Sequence, residues 1–375
     1  MKTIFYSIIT LVLFSCHEKT KTANMLEGLK LTVDTVMVDP GDSFFNLKYG
    51  LDLSDISESG KILIFMERDN KNLYQIDLET LKILSKTQFE TEGPNGIGPF
   101  VTTMSRVFDD NLYFGTYKYG GIFNPEGIKI DPKTIQTDQI KGKNGESEMS
   151  FHYSPVLSNN GKFAYSLPRN EDKDTFSFSW FDFETNQGEV TALTKFDSLT
   201  QFTIQVIGGS RKFKLMESAF VQAYGENVVI RTPGYSDIYL FNSGTKHLSH
   251  KAFPHQIVPT RRDHNFNGKI ESMQEISLAR ARLFEDILFE EFLFDDESKY
   301  FFRFGARKKP KLENSKSEES EVFLFIYDED FNLLGETKID DLKKVPEYPF
   351  FKDGKLWSYV NVEDELGFAV FTFDF

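Results

Sequence analysis

The sequence predicts an all-β fold, a six-bladed β-propeller, on three observations. The chain is 15% aromatic, with 39 Phe and 15 Tyr, residue types favoured on pleated, half-buried strands. A unit made of a polar turn, a short apolar strand, a second turn and another strand recurs six times. The last unit also stops one strand short, while an unassigned strand stands near the beginning of the chain.

From the N-terminus, MKTIFYSIITLVLFSC carries Lys2, an uncharged apolar run from Thr3 to Phe14, and then Ser15 before Cys16. The run is shorter than the roughly 20 residues a spanning helix needs, so residues 1–15 are expected to be a cleaved signal peptide. Leu13, Phe14 and Ser15 before Cys16 form a lipobox, with Phe14 bulkier than usual beside the cut. Acyl chains on Cys16 would add about 0.8 kcal/mol per buried methylene, enough for a multiply acylated anchor to hold. Residues 16–28 read as a lipidated tether and residues 29–375 as the propeller. Leu29 to Val38 is the spare strand that would complete the sixth blade.

The six units are SGKILIFMER with NLYQIDLETLKIL, DNLYFGTYK with GIKIDPKTIQ, NGKFAYSLPR with FSWFDFETNQGEV, ENVVIRTPG with DIYLFNSGTKHL, SKYFFRFGAR with VFLFIYDEDFNLLGE, and DGKLWSYVN with GFAVFTFDF. They start at Lys61, Asn111, Lys162, Asn227, Lys299 and Lys355, 50 to 72 residues apart. That interval suits four-stranded blades with variable loops. A lone four-stranded sheet cannot bury both faces, whereas radial stacking covers the faces and leaves only short edges. Between blades four and five, residues 251–286 read as an inserted loop and helix, because Ile270, Met273, Ile276, Ala279, Leu283 and Ile287 recur at intervals of three and four. Lys308 to Ser320 is a polar, charged loop within blade five.

The net charge of −14, from 57 acidic and 43 basic residues without long single-sign blocks, argues against a nucleic-acid partner. Cys16 is the only cysteine, so the body has no internal disulfide and no thiolate chemistry. The lipobox, the GlyPro turn in EGPNGIG (Glu92 to Gly98) and the aromatic strand KYFFRF (Lys299 to Phe304) together resemble Bacteroidota lipoproteins of unknown function with TolB-like six-bladed propellers. That resemblance spans nearly all of the mature chain and implies fold and location. It carries over no catalytic residue.

No nucleophile elbow, zinc-protease helix, phosphate loop or dinucleotide fingerprint occurs. His247, His250, His255 and His264 lie close in sequence, but residues three apart on a strand face opposite sides, so they read chiefly as surface histidines rather than a metal site. Asp263, Asn265, Asn267 and Gly268 resemble the start of a calcium loop, yet Gln274 stands where a bidentate Glu belongs; a polar turn is the plainer reading, with calcium the one cofactor left open.

Arg68, Lys118 and Arg169 end the second strands of blades one to three, and Arg307 lies one register later in blade five. On the face that also carries the blade-to-blade connections, these four cations could bind an anionic ligand through paired donors, or could be ordinary solvated turn residues. The expected function is thus a binding or scaffolding protein at the cell envelope, lipid-anchored to the outer membrane, with a small-molecule, glycan or protein partner. A glycan- or peptide-processing enzyme, or an envelope assembly subunit, is the alternative.

Overall fold

The computed structural model describes residues 24–116, 120–142, 151, 155–170, 175–208, 213–262, 268–309 and 319–375. The signal segment, Cys16, Lys118, Asp263, His264, Asn265, Asn267 and most of the 308–320 loop lie outside the described residues. The protein is all-β and propeller-like. Among the described residues, six sheets with a four-stranded antiparallel core follow one another along the chain, with a smaller three-stranded sheet beside them.

Sheet one runs Ser54–Ile56, Ile62–Met66, Asn72–Asp77 and Lys82–Gln88, and sheet two Thr103–Arg106, Leu112–Gly115, Gly120–Phe123 and Lys129–Asp131. Sheet three comprises Val156–Leu157, Phe163–Ser166, Thr175–Asp182 and Gln187–Ala192, with Ile140–Gly142 added in parallel at its edge. Sheet four is Phe220–Tyr224, Asn227–Arg231, Ile238–Asn242 and His247–Lys251. Leu288–Asp295, Tyr300–Lys308, Ser320–Tyr327 and Leu333–Ile339 form sheet five. Sheet six takes Phe350–Lys352, Lys355–Val362 and Glu365–Asp374 from the C-terminal end and its fourth strand, Lys30–Met37, from the N-terminal end. Each expected unit start therefore falls at, or one residue before, a second strand.

The alternation of side chains along the second strands explains the stacking. In sheet one, Leu63 and Phe65 pack with Trp357, Tyr359 and Phe368 of sheet six. Their neighbours Ile64 and Met66 pack with Leu112, Phe114 and Phe123 of sheet two. The same exchange continues through Tyr113 and Ile122 against Leu157 and Ala164, then Tyr165 and Phe178 against Val228, Ile230 and Phe241. Val229 and Ile238 meet Phe289, Phe325 and Tyr327, and Phe302, Phe304 and Leu324 meet Leu356 and Phe371. Fully burying such a side chain contributes about 1.5–3 kcal/mol.

In a meander of this kind the turns alternate between two ends of the sheet. One end carries the turns between first and second and between third and fourth strands, and is called the turn face below. The other carries the turns between second and third strands and the links from sheet to sheet, and is called the connection face. Two links are long. The first contains a 3-10 segment, Thr194–Phe202, and the strands Ile204–Val206 and Phe213–Leu215. The second, within the expected insertion, supplies Lys269–Ile270, which pairs in parallel with Gln205 and Val206, and the helix Ile276–Leu283. The helix is shorter than the apolar spacing suggested, because Ile270 is spent on this strand and Met273 lies in a 3-10 turn. Phe196, Leu199, Phe202, Ile204, Ala279 and Leu283 root both links in the core of sheets three and four.

Polar ties cross the sheet boundaries. Arg303 is fully buried and donates to the carbonyls of Glu290 at 2.8 Å, Ser236 at 2.5 Å and Tyr235 at 3.5 Å. It packs over Phe289 and Phe292, and burial pulls its pKa down to about 10. Arg106 of sheet two donates to Ile56 O at 2.9 Å, and its N–H reaches Asp55 at 2.7 Å. His255 sits with a side chain 0% exposed between sheets four and five, 3.0 Å from Glu336 and packed on Phe325.

Two outcomes are expected. Arg303→Ala should lose about 3–5 kcal/mol in denaturant unfolding, since it strands three carbonyls and opens a cavity. Burial holds the His255 imidazole below its ordinary 6.5, so the unfolded chain takes the proton first as pH falls. Its stability contribution is full above 6.5 and declines as pH drops through that value toward the folded pKa. Urea titrations at about pH 7.5 and pH 5 should show the wild type losing a component of stability that His255→Phe does not lose.

Candidate functional site

On the connection face beside sheet four, the two long links and a turn enclose a cavity of about 550 Å³, lined by Thr194, Lys195, Ser198, Tyr235, Asp237, His250, Thr260 and Arg261. The 3-10 segment buries Phe196, Leu199 and Phe202, which leaves Thr194, Lys195 and Ser198 on its exposed side. Its first turn is fixed where Lys195 N donates to Tyr239 Oη at 2.9 Å. Opposite lies the turn between the second and third strands of sheet four. It is held to the second link by Ser236 N to Thr260 O at 2.8 Å, Arg262 N to Gly234 O at 3.1 Å, and a bridge between Tyr235 and Arg261.

Within the cavity, His250 Nε2 is 3.4 Å from Asp237 Oδ2, both side chains about a quarter exposed, and the ring stands edge-on to Tyr239 at 5.2 Å. The Ser198 and Tyr235 hydroxyls are hydrogen-bonded to each other. Lys195 and Arg261 are exposed, against a single lining carboxylate, Asp237. Nearby, Arg262 is ion-paired with Glu217, whose carboxyl is nonetheless pushed up by burial, with Arg262 and Arg169 opposing the shift. The site offers cationic donors, four hydroxyls and an Asp–His pair, a set suited to a hydroxylated anion.

Of the cations singled out from sequence, Arg68 follows the second strand of sheet one, Arg169 lies in a separate short strand, Arg169–Asn170, beyond the second strand of sheet three, and Arg307 is near the end of the second strand of sheet five. Each is already bonded within the protein. Arg68 donates to Asp52 at 2.5 and 2.8 Å and to Val101 O at 2.7 Å, lying 5.8 Å over Tyr49. Arg169 donates to Glu217 O at 2.7 Å and covers Phe176 at 4.4 Å. Arg307 pairs with Glu321. Arg68 thus ties sheet one to the link entering sheet two, and Arg169 ties sheet three to the link entering sheet four. Lys118 lies outside the described residues.

The histidines diverge. His247 and His250 share the fourth strand of sheet four in register with Asn242 and Tyr239, and His255 is in the sheet four–five seam. Among the described residues, no three His, Cys, Asp or Glu approach closely enough to hold a metal. Of the calcium-like stretch, Gly268 gives its carbonyl to Gln205 N at 2.7 Å, and Gln274 lies in the 3-10 turn.

Sequence reading missed Lys195, Ser198, Tyr235, Asp237 and Arg261 as a group. The available signal was the widened interval between the third and fourth units, with Phe196, Leu199 and Phe202 spaced by three. A smaller cavity, about 170 Å³, lies at the EGPNGIG loop among Gly93, Gly96, Gly98, Phe114, Phe123 and Lys129.

Among the described residues no helix is long and apolar enough to cross a membrane. Two solved structures are similar. The first, a DUF4221-family member from Bacteroides vulgatus ATCC 8482, has a TM-score of 0.62 at 16% identity, covering 94% of this chain and 99% of that one. The second, a candidate exported protein from Bacteroides fragilis NCTC 9343, has a TM-score of 0.50 at 11% identity, covering 94% and 97%. Both likenesses concern the fold. No curated protein matches the sequence. The pattern of the family described as Domain of unknown function (DUF4221) matches residues 27–338, and the chain belongs to that family.

Proposed function

We propose that the protein is an exported, lipid-anchored binding protein of the cell envelope, built as a closed six-bladed propeller of TolB-like type, which takes a hydroxylated anionic ligand into the cavity beside sheet four. The seam packing, in which each sheet meets the next and sheet six meets sheet one, supports the ring. Export and acylation at Cys16 rest on the signal and lipobox, and the candidate exported protein among the structural neighbours supports the same compartment. The anchor would sit in the outer membrane.

The observation that carries the ligand reading is the cavity itself, with exposed Lys195 and Arg261 across from the Ser198, Tyr235 and Thr260 hydroxyls on a protein of net charge −14. Arg68, Arg169 and Arg307 then serve this face by fixing its turns and links, and Lys195 and Arg261 make the primary contacts. The Asp237–His250 pair favours a second reading, an acid–base enzyme acting on the same ligand. In that case His250→Gln would abolish turnover while leaving binding intact.

A thermal-shift comparison of glucuronate with glucose tests the ligand. At a hundredfold its dissociation constant a ligand stabilises the native state by about 2.7 kcal/mol. Glucuronate should shift the wild type and fail to shift Lys195→Ala/Arg261→Ala. An equal shift with glucose, or none with either sugar, sinks the anionic reading. Arg68→Ala should lower stability by about 1 kcal/mol and keep the ligand-induced shift. Mass spectrometry of the membrane fraction should find acyl chains on Cys16, and Cys16→Ser should leave the protein unacylated and out of that fraction.

A further inference from the structure

Between sheets four and five the first strands hold a charged cluster that neither the cavity nor the strand ladders use. Arg231, the last residue of the second strand of sheet four, is 7% exposed. Its Nε donates to Gln222 Oε1 at 3.0 Å, and its guanidinium stands 4.7 Å over the Phe220 ring. Nη2 stops 4.0 Å from Glu291 Oε2, so among the described residues neither Nη group makes a hydrogen bond. Neither is sealed from solvent. A guanidinium this deeply buried, with open donors, is costly unless an acceptor arrives from outside.

Opposite it, the first strand of sheet five shifts register between Phe289 and Phe292. Glu290 and Glu291 therefore stand outside the pairing, as expected of a bulge that re-aims side chains. The Glu291 side chain is 40% exposed, yet burial pushes its carboxyl up, with Arg231 opposing the shift and Glu290 adding to it. A carboxyl that solvent reaches while protein atoms still surround it lies in a recess rather than on a convex surface. Gln222 joins the two charged groups, since its Nε2 also donates to Glu291 Oε2 at 3.4 Å, and its Oε1 is further held by Phe292 N at 3.3 Å. Phe220, 42% exposed, supplies an apolar wall.

The charges select the ligand. A lone carboxylate coming to the Arg231 donors would meet Glu290 and Glu291, and a lone ammonium coming to Glu291 would meet Arg231. A ligand bearing both charges on one carbon pairs each with its opposite. The free α-amino acid group is such a zwitterion, with a carboxylate that matches the guanidinium fork. A peptide sets these two charges apart and does not fit the spacing that Gln222 fixes.

We propose that this recess binds a free α-amino acid with an apolar side chain, its carboxylate on Arg231, its ammonium on Glu291 and its side chain against Phe220. None of these residues lines the cavity beside sheet four, so the site stands apart from the anion reading given above.

The test is calorimetric titration of the full chain with L-phenylalanine, with 3-phenylpropionate, which lacks the ammonium, and with phenethylamine, which lacks the carboxylate. Phenylalanine should bind, and each analogue should bind about tenfold or more weakly. Glu291→Gln should lose affinity for phenylalanine and gain it for phenylpropionate, because the repelling charge is gone while Arg231 stays. Arg231→Gln, where circular dichroism shows it folded, should bind neither; where it does not fold, Glu291→Gln decides alone. Lys195→Ala/Arg261→Ala should bind phenylalanine as the wild type does. Absence of phenylalanine binding, equal binding of either analogue, an unchanged preference in Glu291→Gln, or loss of phenylalanine binding in the cavity double variant overturns the site.

Discussion

The rest of the structure depends on the pairing between the two ends of the chain. Lys30–Met37 forms eight consecutive antiparallel pairs with the last strand, from Lys30 opposite Asp374 to Met37 opposite Gly367. Sheet six has only three strands of its own, and its third would otherwise be an open edge, a template for aggregation. The pairing also brings Val36 and Val38 into the core of sheets one and six and Leu31 into that of sheets five and six. The most distant segments in sequence are therefore joined by main-chain hydrogen bonds and by the side chains on both faces of one strand.

That pairing leaves each sheet with two apolar faces to cover, and the second strands meet the demand by strict alternation. In sheet one, successive residues from Leu63 to Met66 go to opposite seams, and all four are at most 1% exposed. Such a strand has no solvent side on which to place a polar residue. Charge enters the interior where partners await it: Arg262 finds the Glu217 carboxylate, and Arg303 finds three carbonyls and two phenyl rings. The cost of burying that cation appears in its lowered pKa and the compensation in its full set of neighbours. Arg68 and Arg169 repeat the device at shallower depth, each joining one sheet to the approach of the next, and Arg106 joins sheet two back to the first strand of sheet one.

This explains what could be read from sequence and what could not. The strands were legible because alternation and turn residues are local, and the missing fourth strand of sheet six because a count of three invited a partner from elsewhere. Insertion of Ile204–Val206 beside Lys269–Ile270 was not legible, since a parallel pair between segments over 60 residues apart leaves no periodic mark. Register singled out the cations at 68, 169 and 307, but register says nothing about acceptors such as Asp52, the Glu217 carbonyl and Glu321. Lys195 and Arg261 meet only because two links fold over the same sheet. Their juxtaposition is a tertiary fact.

The position of the cavity follows from the same geometry. Turns on the turn face are short and join strands within one sheet, so they have little chain from which to build a concavity. Links on the connection face cross between sheets and can lengthen without disturbing a ladder, and their closure entropy grows only slowly with length. Two long links that flank sheet four, each rooted by phenylalanine or leucine in the seam below, must lean over that sheet's second-to-third turn because that turn rises between them. Tyr235 and Asp237 are then enclosed from both sides, and the polar groups of the links face inward across them. An entry point on this face is what a repeat fold with two neighbouring insertions provides.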